Sequence, residues 1–217
     1  YDRLAIDPTN RLFVINWHGL KLYNIDKGEW SLAKGADAGG KDAHQICGFF
    51  PERNIFIYES SWGKNLRSWN VETKKVSPIG KYAQYSFGMH GIIQYNPVHK
   101  VIVWGLGDGF KFLYRMDADG KIVKLKQAPI HVNCRNECAF FCDPVSGEYV
   151  VQEFKNRGGG RVFAFHPLRD EWREIEGLKL PTGLCVAIPE YGVAMLAGGS
   201  GVHLYKHKPQ FTDAPAE

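Results

Sequence analysis

One position of a repeated segment carries side chains that could take part in acid–base chemistry. It lies seven residues before a recurring proline and is occupied by Tyr1, His44, His90, Glu137 and Thr182. Because a free histidine has a pKa of roughly 6.5, His44 or His90 could act as a general base with Glu137 as its partner. Two histidines and a glutamate could also ligate a metal ion, but no His-x-x-x-His or Cys-x-x-Cys spacing accompanies them. The pattern therefore predicts catalytic candidates His44, His90 and Glu137, with no metal and no cofactor.

Polar and aromatic residues near these positions indicate what such a site would hold. The polar neighbours are Arg3, Gln45 and Arg135, and the second group is Trp17, Trp62 and Lys64. Arginine recognises carboxylates and other anions, and exposed indole rings offer flat apolar surfaces beside a polar edge. The combination predicts binding of an oligosaccharide or another polar small ligand, with an acidic sugar favoured. The alternative is a polar, water-lined centre without a ligand.

The elements that must position these residues follow from a repeat along the whole chain. Prolines that end an apolar run are spaced 43 to 47 residues apart: Pro8, Pro51, Pro97, Pro144 and Pro189. Each unit holds up to four short apolar runs separated by turns, and no stretch shows the spacing of an amphipathic helix. Four strands per unit of about 45 residues is typical of a β-propeller blade. The sequence predicts an all-β, five-bladed β-propeller of four-stranded blades over residues 1–207, with the last blade incomplete, and a tail over residues 208–217.

The strand order of a blade sorts its loops onto two ends of the propeller. The proline turns and the turns between third and fourth strands share one end, here called the base. The loops that join blades and those between second and third strands share the other end, here called the mouth. The mouth loops are longer and dissimilar, as in residues 33–43, 81–89, 126–135 and 153–160. Because binding residues tend to sit on such loops, the mouth is the predicted site.

Several segments resemble a kelch repeat. The resemblance rests on residues 90–97 (HGIIQYNP), 100–105 (KVIVWG), 112–120 (FLYRMDADG) and 23–30 (YNIDKGEW), and on the pair Gly198 and Gly199. The chain is similar to the divergent kelch-like propellers of the galactose-oxidase kind. That resemblance implies a propeller fold but no single activity, since such propellers act as enzymes, as sugar binders and as protein-docking scaffolds.

Composition narrows the class of protein without naming a function. The 217 residues are 44% hydrophobic and include 24 glycines and 11 prolines, which suits a turn-rich β protein with a packed core. The net charge of +4 is scattered along the chain, so we expect neither a nucleic-acid interface nor a membrane-spanning segment. Neither localisation nor oligomeric state is predicted.

Cysteines and tryptophans carry two structural expectations. The chain has five cysteines, most of them within apolar runs, and we expect reduced thiols, with Cys47 and Cys185 buried between blades. Four tryptophans are expected to pack between blades: Trp30, Trp69, Trp104 and Trp172.

Three functions are compatible with these residues. The favoured one is carbohydrate binding at the mouth. The first alternative is a polysaccharide lyase or a glycosidase that uses His44 and His90 with an arginine. A glycosidase needs two suitably spaced carboxylates, and only Glu137 is well placed, with Asp108 and Glu153 more distant. The second alternative is a protein-docking scaffold of the kelch type.

Overall fold

The computed structural model describes residues 4–16, 20–36, 46–59, 66–79, 90–107, 110–132, 139–155, 158–199 and 201–211. The chain in these ranges forms five antiparallel sheets, one after another, and the only helical segments are two single 3₁₀ turns, Pro51–Arg53 and Pro189–Tyr191. Four sheets have four strands and the last has three. The described residues form five blades of a β-propeller, as the repeat predicts.

Each blade is a meander in which consecutive strands pair side by side. Blade 1 consists of β1 (Leu4–Asp7), β2 (Leu12–Asn16), β3 (Leu20–Asn24) and β4 (Glu29–Leu32). Blade 2 consists of β5 (Cys47–Phe50), β6 (Ile55–Glu59), β7 (Leu66–Asn70) and β8 (Val76–Pro78). Blade 3 consists of β9 (Ile92–Asn96), β10 (Val101–Gly105), β11 (Leu113–Met116) and β12 (Ile122–Lys124). Blade 4 consists of β13 (Phe140–Cys142), β14 (Tyr149–Lys155), β15 (Gly158–His166) and β16 (Glu171–Glu174). Blade 5 consists of β17 (Leu184–Ile188), β18 (Val193–Gly198) and β19 (Gly201–Tyr205).

The hydrophobic core is divided among the interfaces between successive blades. Four apolar clusters join blade 1 to 2, blade 2 to 3, blade 3 to 4 and blade 4 to 5. Trp69 and Trp104 are fully buried in two of these clusters, and Trp172 stacks on Phe165 with ring centroids 4.4 Å apart. Burial of these large rings supplies much of the driving force that holds each blade against the next.

The expectation that Trp30 packs between blades is wrong. Its side chain is 56% exposed on the face of blade 1 that points away from blade 2. Trp30 contacts Tyr23 and Phe13 of its own sheet. Within the described ranges no apolar cluster joins blade 5 back to blade 1. No other described blade therefore covers the indole of Trp30.

The thiols follow the prediction for Cys47 and depart from it for Cys185. Cys47 and Cys142 are buried and reduced, and burial raises the pKa of both thiols. Cys185 is only half-buried, although it lies on the face of blade 5 that packs on blade 4. Its Sγ donates to the Phe140 carbonyl at 2.9 Å and so ties β17 to β13 of the preceding blade.

The turns at the base are closed by their own side chains. Asp7, Asn96 and Asp143 directly precede the prolines of three blades, and each accepts a hydrogen bond from a backbone N–H two or three residues further on. The turn interrupts the backbone hydrogen bonds between the two strands. These side chains supply acceptors for the amides that the turn leaves without a backbone partner. The turns end in left-handed backbone at equivalent positions: Arg11, Asn54, Lys100, Gly147 and Gly192.

The segment after β19 runs beneath blade 4 at the base. His207 and Glu148 are fully buried there, and the Nε2 atom of His207 lies 2.8 Å from an Oε atom of Glu148. The carboxylate also accepts hydrogen bonds from the amides of Gln210 and Phe211. Burial alone would raise the pKa of Glu148, but these hydrogen bonds outweigh it and hold the pKa below its usual value. At the base of blade 4 a buried hydrogen-bonded network therefore joins two residues that lie 59 positions apart in the chain.

Candidate functional site

Most of the predicted site residues lie outside the described ranges. These are Arg3, Trp17, His44, Gln45, Trp62, Lys64, Arg135 and Glu137. Among the predicted candidates the structure describes His90, and it also describes Thr182 at the matching position of blade 5. The geometry of the mouth is thus defined by the strand ends and by the loops at residues 106–107, 126–132 and 174–183.

His90 lies at the mouth, two residues before the first strand of blade 3. Its side chain is only 5% exposed, and its backbone has a φ of 60°. Left-handed backbone is uncommon outside glycine, and such conformations concentrate at functional sites. His90 is therefore a buried residue that starts blade 3 at the mouth end.

Glu59 is a second buried titratable group at the same end of the propeller. It is the last residue of β6 in blade 2, and its backbone N–H donates to the Ile46 carbonyl at 3.2 Å. The inner strands of blades 2 and 3 approach closely, since a Cβ atom on Gly48 would stand 2.8 Å from Cγ1 of Ile93. The sequence analysis missed Glu59, although a glutamate ending an otherwise apolar run, IFIYE, could have indicated it.

The axial channel has a different character from the mouth. A concavity of about 500 Å³ is lined by the inner strands of blades 1, 2 and 3. Its wall is mainly apolar, with residues such as Leu4, Ile6, Phe49 and Ile93, and Gln94 supplies a polar group. The inner strands therefore give the described part of the channel a mainly apolar wall rather than a polar, water-lined one.

A cleft with mixed polar and apolar walls opens at the mouth end of blade 4. It has a volume of about 530 Å³ and lies between the ends of β14, β15 and β16 and the loop that leads to blade 5. The lining consists of Gln152, Gly160, Arg161, Val162, Glu174, Ile175, Gly177, Leu178, Lys179 and Leu180. The volume is within the usual range for small-ligand sites, about 300–1,000 Å³.

Arg161 is held in place by two carboxylates. Its Nε atom lies 3.3 Å from Oε2 of Glu153, and its Nη1 atom lies 3.5 Å from Oε2 of Glu174. The hydrogen bond that Arg161 donates to Glu153, followed by the negative charge of that residue, raises the pKa of the guanidinium. Gly160 leaves room for this pair, because a Cβ atom there would come within 2.8 Å of the Glu153 side chain. The positive charges of Arg161 and Lys179 balance the negative charges of Glu153 and Glu174.

Gln152 forms the buried floor of the cleft. Its Oε1 atom accepts from the Ala139 amide at 3.0 Å, and its Nε2 atom donates to the Leu180 carbonyl at 2.9 Å. The amide therefore fixes the loop before β17 against the entry to β13. Sequence analysis placed residues 153–160 at the mouth but could not pair Arg161 with Glu174, which belongs to the next strand.

The described ranges contain no group of three or more His, Cys, Asp or Glu side chains that could hold a metal ion. They also contain no helix that is long and apolar enough to span a membrane.

Sequence comparisons give no relative for this chain. No protein-family model matches it, and no curated protein matches it in sequence. The fold, in contrast, has many counterparts among solved structures.

Three of these structures illustrate the likeness. A streptogramin B lyase superposes with a TM-score of 0.63 at 11% identity, over 95% of this chain and 68% of the lyase chain. A catalytically inactive histidine-to-alanine variant of virginiamycin B lyase from Staphylococcus aureus, solved with quinupristin, gives a TM-score of 0.60 at 13% identity, over 95% of this chain and 69% of the other. A candidate gluconolactonase gives a TM-score of 0.57 at 14% identity, over 94% of this chain and 73% of the other. At these identities the likeness shows a shared β-propeller scaffold and nothing finer.

Proposed function

We propose that this chain binds a carbohydrate at the mouth of the propeller, and an acidic carbohydrate in preference to a neutral one. The observation that carries the proposal is the cleft of blade 4, where charged groups stand beside apolar side chains. A concavity of about 400 Å³ also lies toward the base, between blades 2 and 3, with Arg53, Asn70 and Lys75 in its wall. The proposal takes the cleft of blade 4 instead because Arg161 and Glu174 already pair there.

The cleft has the two features that a sugar requires. Ile175 and Leu178 provide apolar surface for the C–H faces of a ring. Arg161 and Glu174 supply a donor and an acceptor already held by each other, so little side-chain entropy is lost when hydroxyl groups join them.

The preference for an acidic sugar rests on charges outside the cleft. The cleft is balanced in charge, so its own groups do not select an anion. Arg3, Arg135 and Lys64 belong to the mouth by sequence position, and positive charge in a concave surface raises the local concentration of anions. Salt screens such an effect, so binding should weaken as ionic strength rises.

The test compares two oligosaccharides of equal length, one neutral and one built of uronic acids. Calorimetric titration should show tighter binding of the acidic oligomer, and Arg161→Ala should weaken the binding of both. Arg11→Ala is the matched control, because Arg11 is an exposed arginine paired with Asp26 at the base. Equal affinity of wild type and Arg161→Ala for both oligomers would contradict the proposal.

A lyase reaction on the same ligand is the second candidate. The first support is His90, a buried histidine that starts blade 3 at the mouth end. The second is the fold shared with two lyases. One of these lyases was inactivated by replacing a histidine. In a β-elimination, a histidine takes the proton beside the carboxylate of the uronic acid. The electron pair forms a carbon–carbon double bond, the bond to the glycosidic oxygen breaks, and that oxygen takes up a proton. The kelch relationship stays a prediction from sequence and decides neither candidate.

Binding and catalysis separate in one assay. A lyase would release an unsaturated oligosaccharide that absorbs ultraviolet light, and His90→Ala would abolish its formation while Arg11→Ala would not. Binding of the acidic oligomer without any unsaturated product would leave the binding proposal intact and remove the lyase.

A further inference from the structure

The two outer faces of the propeller arc differ from every interface inside it. Inside the arc, the residue five positions before the proline is fully buried against the following blade. Its occupants are Ile46, Ile92 and Ala139, each at most 1% exposed. The equivalent residue of blade 5 is Leu184, and it is 68% exposed.

The outward face of blade 5 is apolar throughout. Strand register places Leu184, Ala197 and Val202 in one row across the sheet, and Val186, Met195 and Leu204 in the next. Four of these six side chains are exposed, Leu204 at 69%. The opposite face, with Cys185 and Leu196, packs on blade 4. The outward face therefore has the composition of an interface but no neighbour within the described ranges.

Blade 1 shows the complementary situation at the other end of the arc. Four positions before the proline stand Cys47, Ile93 and Phe140 in blades 2 to 4, all buried against the preceding blade. The equivalent Leu4 of blade 1 is 53% exposed.

Two cross-strand rows form this face of blade 1: Leu4, Ile15, Lys21 and Leu32 in one, and Ile6, Phe13, Tyr23 and Trp30 in the next. Their exposed large apolar members are Leu4, Ile6, Trp30 and Leu32, and Lys21 is the one charged residue in the two rows. Ile15, Trp30 and Leu32 also line an open groove on this face. Exposed apolar surface of this extent marks an interaction site.

We propose that these two faces dock further propeller blades, which complete the ring. The face of blade 5 is of the kind that meets a following blade, and the face of blade 1 is of the kind that meets a preceding one. A four-stranded sheet that is apolar on both sides fits between them in the same way as the inner blades fit one another.

The extent of the similar structures agrees with this assignment. The streptogramin B lyase chain continues beyond the region shared with this chain by about a third of its length, since 68% of it is matched. A second copy of this chain fits less well, because a head-to-tail contact of these two faces would propagate into open filaments.

The test is carried out on the protein as it is naturally produced. A benzophenone amino acid is placed at Leu204, and at Tyr191 as the control, an exposed residue in the proline turn of the same blade. The proposal expects position 204 to form crosslinks at several times the yield of position 191. The crosslinks from position 204 should reach a strand of the same molecule outside residues 1–217. Hydrogen exchange of the wild-type protein should also show protection of β19 amides, which checks the same contact without a substitution.

Three outcomes would overturn the proposal. Crosslinks from position 204 to blade 1 of the same molecule would show that the five blades close on themselves. Crosslinks to another copy would assign the faces to self-association. Equal yields at positions 204 and 191, with rapid exchange in β19, would show that the face is open to solvent.

Discussion

The base and the mouth of this propeller are built from the same strands but differ in how their polar groups are used. At the base, polar side chains bind the backbone of their own turn, and Glu148 binds His207 and the segment that follows it. At the mouth, Arg161 and its carboxylates border a cleft. Our proposal assigns stabilisation of the blades to the base and ligand binding to the mouth, so it expects substitutions at the two ends to have separable effects.

The largest effect is expected from Glu148→Ala at the base. Removing the carboxylate leaves the buried His207 and two amides without their acceptor, which should lower the free energy of unfolding by about 3 kcal/mol. Urea denaturation measures the loss. Glu190→Ala, at an exposed position in another base turn, should change stability by less than about 0.5 kcal/mol. Similar losses in the two variants would remove the special role of the network.

The same network predicts a pH dependence. Because the pKa of Glu148 is lower in the folded protein than its free value of 4.5, its ionised form stabilises the fold above that value. This contribution is lost as the pH falls through the lowered pKa. Unfolding measured between neutral and acid pH should therefore show a slope that Glu148→Gln reduces. An unchanged slope in Glu148→Gln would assign the acid sensitivity to other groups.

A smaller effect is expected from Asp143→Ala. The Oδ2 atom of Asp143 accepts from the amide and the hydroxyl of Ser146, both at 2.7 Å. Losing these bonds should cost about 1–2 kcal/mol of stability, measured by thermal or urea unfolding. Asp26→Ala should cost clearly less, because Asp26 forms an exposed ion pair with Arg11. The reverse order would contradict the view that the base turns depend on these side chains.

The smallest effect on stability is expected at the mouth. Arg161→Ala removes partly exposed ion pairs and should leave the urea midpoint unchanged, while lowering affinity for the oligosaccharide about tenfold, a typical loss for one charged hydrogen-bonding group. Arg11→Ala should leave both quantities unchanged. The two ends would not be separable if Arg161→Ala lowered the free energy of unfolding by as much as it weakened the free energy of binding.

The blades could be predicted from sequence because their signals are local. The recurring prolines mark the turn between the first two strands of each blade, as at Pro51 and Pro189, which begin the observed turns Pro51–Arg53 and Pro189–Tyr191. The exposure of Trp30 could not be predicted, since one blade repeat looks the same whether or not a neighbour covers it. The pairing of Glu148 with His207 depends on the path of the segment after β19, which no local pattern determines. The cleft likewise joins Arg161 and Glu174 across neighbouring strands.

The most direct test of a functional mouth is hydrogen exchange with and without a bound uronic-acid oligosaccharide. We predict that the ligand slows exchange at the mouth end of blade 4, in residues 158–162 and 174–180, and leaves the base turns at residues 96–100 and 143–147 unchanged. Protection confined to the base turns, or equal protection at both ends, would contradict the assignment of ligand binding to the mouth.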